Sequence, residues 1–69
     1  MKSKSHLTPR ERQVISLMAQ WKSRHETAAE LGIDYETVRA HLFNIRRKLN
    51  VNRTTKAIVV ARSEGLISA

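Results

Sequence analysis

The stretch Ser23-Arg-His-Glu-Thr-Ala-Ala-Glu-Leu-Gly-Ile-Asp-Tyr-Glu-Thr-Val-Arg-Ala-His41 decides the fold. Ser23 with Glu26 three positions later is a capping box, in which hydroxyl and carboxylate each take an N–H the helix start leaves unpaired. The helix it opens is short, with Ala28 and Leu31 turned inward. It stops at Gly32, a residue free to take the left-handed conformation that closes a helix. Asp34 then caps a second helix. Two helices joined by so tight a turn have the outline of a helix-turn-helix, whose second helix is shaped to enter a DNA major groove.

Working outward, that second helix is predicted over Tyr35–Leu49, roughly 22 Å long at 1.5 Å per residue. Val38, Leu42, Ile45 and Leu49 form its inward stripe, and Asn50 ends it. Upstream, Thr8-Pro9-Arg10-Glu11 predicts another helix start, with Thr8 as cap, Pro9 in the first position and Glu11 completing a capping box. Val14, Leu17, Met18 and Trp21 follow at i, i+3, i+4 and i+7, one apolar stripe facing the core. Downstream, Asn52 is the expected cap of a fourth helix over residues 53–63, before Gly65 stops it and Leu66 and Ile67 fold back. The expected fold is therefore all-α, a compact four-helix domain over residues 7–69. Residues 1–6 are read as a flexible tail or the remnant of a linker.

A chain of 69 residues buries only a limited core. Lys and Arg number 13 against 6 Asp and Glu, a formal charge of +7. The excess is clustered: from Arg39 to Arg62 there are seven Lys/Arg and no Asp or Glu. Such a run favours a polyanionic partner, nucleic acid ahead of an anionic membrane surface. The absence of cysteine excludes disulfides and thiolate metal sites. No apolar run approaches the roughly 20 residues that span a bilayer, and the first six residues lack the apolar core of a signal peptide. A cytoplasmic, nucleoid-associated protein fits these features. His6, His25 and His41 have no partner at metal-ligand spacing, and His41 is read as structural. Ser16, Ser23, Ser63 and the threonines form no nucleophile–base pair. No enzyme, cofactor, metal or small-molecule ligand is expected.

Once the core positions of the third helix are set aside, Glu36, Arg39, Ala40, Phe43 and Arg47 lie on one outward line. Phe and Ala have no reason to sit among charges on a solvated face, but they suit a groove-reading one. Arginine can donate two hydrogen bonds to guanine O6 and N7, and Ala and Phe can touch thymine methyls. Glu36 either accepts from cytosine N4 or answers the positive end of its own helix. The bland alternatives are that Phe43 packs on helix four or a partner and that the Arg39 stem covers apolar surface. Phosphate contacts are expected around this stripe: Arg46, Arg47 and Lys48 near its far end, Asn44 on its flank, and Arg53 and Lys56 at the start of helix four. Thr8, Arg10 and Arg24, at helix starts, are candidates for the opposite strand.

Leu7-Thr-Pro-Arg-Glu-Arg12, Ala28-Ala-Glu-Leu-Gly-Ile33, Thr37-Val-Arg-Ala-His41, Asn44-Ile45, Lys48-Leu-Asn-Val51, Arg53, Ala57 and Gly65-Leu66-Ile67 form an ordered set spanning nearly the whole chain. It resembles the LuxR-type helix-turn-helix, also called NarL/FixJ or GerE-like. The resemblance implies a four-helix domain that binds double-stranded DNA as a homodimer and regulates transcription. It assigns base reading to Arg39, Ala40 and Phe43 on the third helix. It also ties Thr37, Asn44, Lys48 and Arg53 to the phosphate backbone or to fixing the fold. On helix four it turns Ala57, Val60 and Ala61 inward, leaving Thr55, Ile58, Val59 and Arg62 as dimer candidates. The departures are specific. Trp21 stands where the family usually has Gly, so the turn closes differently or the indole covers the core. Lys22 and Thr27 replace usually apolar residues and should thin the contact between the first two helices. Asp34 replaces Ser or Thr, and Phe43 replaces a polar or basic reader, so target preference does not transfer.

Two other readings belong beside this one. A small interaction module would pair through helix four with another regulator and modulate it. A sigma-factor promoter-recognition domain uses a similar motif, but the Lys48-Leu-Asn-Val51 ending and the helix-four pattern favour the LuxR type. An initial Met suits a complete small protein, and equally a cloned output domain of a larger regulator.

Overall fold

A computed structural model describes residues 6–67, so all of the expected tail except His6 lies outside the described residues. The chain forms α1 (Pro9–Ala19), α2 (Arg24–Leu31), α3 (Tyr35–Leu49) and α4 (Thr54–Ser63), with no strand among the described residues. α3 is the central element and touches each of the other three, while α2 and α4 do not meet. Val38, Leu42, Ile45 and Leu49 of α3 are buried, as the stripe predicts. Val14 and Ile15 of α1, Ala28 of α2, and Ala57 and Ala61 of α4 close around them, with Leu7 and Ile67 sealing the ends.

The helix starts follow from local chemistry. The Thr8 hydroxyl accepts from Glu11 N–H at 3.1 Å, and Thr8 N–H donates to Glu11 Oε1 at 2.9 Å. Ser23 and Glu26 repeat the box at 3.0 and 2.7 Å. Asp34 accepts from Thr37 N–H at 2.8 Å. These interactions hold carboxylates in their charged form. The Glu26 carboxyl is kept below its ordinary range by the Ser23 N–H, and Asp34 by hydrogen bonds from Thr37. The fourth start departs from expectation. Asn52 is not the cap: Arg53 takes the extended flanking conformation, φ −135° and ψ 144°, and makes no side-chain cap bond. A guanidinium has only donors, so it offers nothing to the free N–H groups of the first turn.

All four helices end in the same way. The N–H groups of two successive residues bond back into the last turn, Trp21 to Met18 and Lys22 to Leu17, Gly32 to Ala29 and Ile33 to Ala28, Asn50 to Arg47 and Val51 to Arg46, Gly65 to Arg62 and Leu66 to Ala61. This is the Schellman arrangement, which requires a left-handed residue followed by an apolar one that folds back. Gly32, Asn50 and Gly65 fill the left-handed place, and Ile33, Val51 and Leu66 fold back on the core. At the end of α1 both places are irregular. Trp21 is left-handed, φ 69°, and Lys22 follows it.

The expected α1 stripe is corrected by that closure. α1 ends at Ala19, and the left-handed turn swings Trp21 out until it is 92% exposed, so the indole covers no core. Ile15, left out of the predicted stripe, is fully buried, whereas Leu17 and Met18 are half-buried. Thr27 is also fully buried and its hydroxyl finds only the Met18 thioether, at 3.5 Å. A sulfur is a weak acceptor, so this α1–α2 contact is held less firmly than an apolar pair of that size.

Candidate nucleic-acid interface

The outer face of α3 carries Glu36, Arg39, Ala40, Phe43, Asn44 and Arg47, all exposed. Phe43 is 52% exposed, and the cleft it borders has no α4 residue in its lining. Instead the Arg47 guanidinium lies 5.8 Å from the Phe43 ring centroid. Arg39 Nη1 donates to Glu36 Oε1 at 3.1 Å. Exposed pairs of this kind contribute about 0–1 kcal/mol, so Glu36 restrains Arg39 only weakly.

Beside this face the fold assembles cations that the sequence scatters. A cleft of about 420 Å³ is lined by Arg24, Tyr35, Arg39, Phe43 and Arg46, with Leu42 as its floor. A second, of about 570 Å³, is bounded by Arg24, Arg46, Asn52, Arg53 and Thr54 among others. Arg24 and Arg46 border both, so Arg39, Arg24, Arg46 and Arg53 make a continuous basic band along one edge of α3. Arg46 Nη1 donates to Thr54 Oγ1 at 3.4 Å, which ties the band to the start of α4. Thr37 contributes its N–H to Asp34 and is half-buried. Thr8, Arg10, Lys48 and Lys56 border neither cleft.

Lys48 occupies a different setting. Its Nζ donates to Glu11 Oε1 at 2.8 Å and to the His6 carbonyl at 3.2 Å, where the chain enters α1. Thr8 and Arg10 stand at the same helix start. Burial alone pushes the Glu11 carboxyl up, but hydrogen bonds from Lys48 and Thr8 and the Lys48 charge outweigh it and hold it below its ordinary range.

On α4, Thr55 and Val59 are exposed, Ile58 is half-buried, and Arg62 Nη2 reaches the Ala19 carbonyl at 3.5 Å. Ala57 and Ala61 are buried and Val60 packs against the core.

Three features of this region escaped the sequence reading. His25 and Tyr35 stack with centroids 4.3 Å apart and planes 18° apart, bracing the start of α2 against the start of α3. Tyr35 also lines the arginine cleft. The Glu11–Lys48 pair joins residues 37 positions apart. None has a local signal, because each depends on how the helices cross.

The comparisons with known proteins agree with this geometry. The profile of the family described as "Bacterial regulatory proteins, luxR family" matches residues 5–61. The spore germination protein GerE of Bacillus subtilis (strain 168) is 46% identical over 57 residues, which cover 83% of this chain and 77% of that protein. The transcriptional regulatory protein LiaR of the same organism is 39% identical over 62 residues, covering 90% of this chain but only 29% of LiaR. Among solved structures, the transcription factor GerE superposes with a TM-score of 0.88 at 34% identity, covering 94% of this chain and 97% of that one. The response regulator ChrA of a heme-sensing two-component system gives 0.87 at 38% identity, covering 96% of this chain and 33% of ChrA. The chain thus spans most of GerE and about a third or less of the longer regulators. Four helices around a central α3, a basic band beside its open face and a family match over most of the length lead to one assignment: the chain belongs to the LuxR family of bacterial regulatory proteins, as a helix-turn-helix DNA-binding domain of transcription regulation.

Proposed function

We propose that the chain acts in the cytoplasm as a sequence-specific regulator that binds double-stranded DNA as a homodimer, with α3 in the major groove. The observation that carries this reading is the open face of α3, where Arg39, Ala40 and Phe43 stand clear of the core beside Arg24, Arg46 and Arg53. Arg39 reads guanine, Ala40 lets the backbone approach the bases, and Phe43 meets thymine methyls. Glu36 pairs with Arg39 in the free protein and is the fourth member of the reading face. Arg24, Arg46 and Arg53, with Thr37, Asn44, Arg47 and Lys56, take the phosphates flanking α3. Thr8, Arg10 and Lys48 take those near the start of α1.

Self-pairing falls to the open side of α4, Thr55, Ile58, Val59 and Arg62, and places two α3 helices about 34 Å apart on a near-palindromic site. The exposure of Val59 also favours a second reading, in which α4 pairs with a different regulator. Selection of bound duplexes from a random pool, repeated with Arg39→Ala and Phe43→Ala, tests the first reading. A defined two-fold consensus that loses one base preference in each variant supports it. Indifference to DNA sequence, with capture of another regulator through α4, supports the second.

A further inference from the structure

We propose that the turn between α1 and α2 grips the sugar-phosphate backbone of duplex DNA outside the α3 site, Trp21 meeting a deoxyribose and Lys22 a phosphate; this rests on the α3 reading above and extends it. Trp21 closes α1 in the left-handed conformation, φ 69°, where the other three helices use Gly32, Asn50 and Gly65. The indole is 92% exposed there, so burial within the chain does not explain it. Lys22 follows in the place where the other closures fold Ile33, Val51 and Leu66 back on the core. Neither side chain joins the core. Both border the cleft of about 570 Å³ that also holds Arg24, Arg46 and Arg53.

The lining of that cleft has four cations, Lys22, Arg24, Arg46 and Arg53, and no Asp or Glu. Such a surface selects an anionic occupant. Glu30 answers Lys22 from outside the lining, at 3.9 Å, too long for a hydrogen bond. Arg24 and Arg46 also border the cleft beside Arg39 and Phe43, so a DNA strand running past the reading face of α3 continues toward the turn. An indole suits the outside of a duplex. Its ring packs on the apolar face of a deoxyribose, while its N–H, a donor only, meets a phosphate oxygen. Sugars and phosphates alternate along a strand, and Trp21 with Lys22 offers one group for each.

Trp21 also borders a smaller cleft beside Val59, whose one cation, Arg62, reaches the Ala19 carbonyl. Charge decides between the two sides. A second copy of the chain brings the same formal charge of +7 and is repelled by the four cations next to the indole. Duplex DNA is drawn to them, and it already lies against Arg24 and Arg46 when α3 is engaged.

Trp21 is the single tryptophan of the chain, so its emission reports on this turn alone. The test titrates the full chain, Trp21→Gly and Lys22→Ala with the selected duplex, with random duplexes, and with vesicles of phosphatidylglycerol and phosphatidylcholine. Emission of the full chain should change on adding duplex and saturate together with the anisotropy of the labelled DNA. Trp21→Gly should weaken every duplex about three- to tenfold, the loss of one neutral hydrogen bond, and leave the salt slope unchanged because the indole carries no charge. Lys22→Ala should make that slope shallower by about 0.9. Glycine suits the left-handed turn, so the thermal midpoint of Trp21→Gly should not fall and lost binding is not lost fold. Emission unmoved by a duplex that binds, with Trp21→Gly binding as tightly as the full chain, overturns the proposal and leaves the α3 reading standing. A chain that binds no duplex at all overturns both. Emission that moves only on the vesicles, or only with rising protein concentration, also overturns the proposal and assigns the indole to a membrane surface or to a second copy.

Discussion

Lys48 Nζ lies 2.8 Å from Glu11 Oε1 and pins the last turn of α3 to the first turn of α1. Glu11 is only 4% exposed, yet its carboxylate serves both the Thr8 N–H and the Lys48 ammonium. One buried carboxylate therefore caps one helix and anchors the C-terminal end of another.

Removing one partner of that pair should cost more than an ordinary surface change. Lys48→Ala strips a buried carboxylate of its charged donor, an omission worth about 1–3 kcal/mol. The low end applies, since the Lys48 side chain is 36% exposed and water reaches Glu11 once the ammonium is gone. Urea unfolding followed by circular dichroism checks the loss. Glu11→Gln should also destabilise, but it removes the charge that holds Lys48 and should strengthen binding to random duplex DNA modestly. Lys48→Ala should weaken that binding.

Acid should unfold the domain by a legible route. Glu11, Glu26 and Asp34 are all held below their ordinary values, so the unfolded chain takes up protons first as the pH falls. Their stabilisation is complete above the ordinary carboxylate range and disappears as the pH drops through the lowered folded values. A pH series of thermal midpoints should therefore decline across that acidic window. Glu11→Gln should flatten part of the decline.

The helix ends separate conformational strain from steric room. A Cβ added to Gly32 meets nothing within 4 Å, so Gly32→Ala has space, yet φ is 68°. The left-handed conformation alone should cost about 1–2 kcal/mol, read as a lowered denaturation midpoint.

The arginine band makes a claim about salt. If Arg24, Arg46 and Arg53 each neutralise a phosphate, replacing any one by Ala should make the negative slope of log K against log salt shallower by about 0.9. Fluorescence-anisotropy titrations over several salt concentrations measure it.

The parts of this molecule that were legible beforehand are those set by neighbours in the chain. Thr8, Ser23 and Asp34 cap their helices because hydroxyl and carboxylate reach N–H groups three residues on, and Gly32 and Asn50 close theirs because they tolerate the left-handed turn. The open α3 face followed from period alone once Val38, Leu42, Ile45 and Leu49 were placed inward. Trp21 was misplaced because the i, i+7 spacing assumes that the helix continues, and α1 stops at Ala19. Ile15 was overlooked because Val14 and Met18 already made a stripe, and only packing shows that the buried arc is wider. Asn52 has the better capping chemistry, but α4 begins at Thr54 and Arg53 takes the flanking place. Glu11 with Lys48, and His25 with Tyr35, join residues that no local rule relates.

The central claim is that the exposed side of α3 reads bases, and one comparison addresses it most directly. Affinities of the unaltered chain, Arg39→Ala and Arg24→Ala are measured on the selected duplex and on its single-base-pair variants. Arg39→Ala should lose about 1–3 kcal/mol on the selected site and become indifferent at one base pair, while Arg24→Ala weakens every duplex alike. Equal losses for both variants on every duplex, with base preference unchanged, would contradict the account.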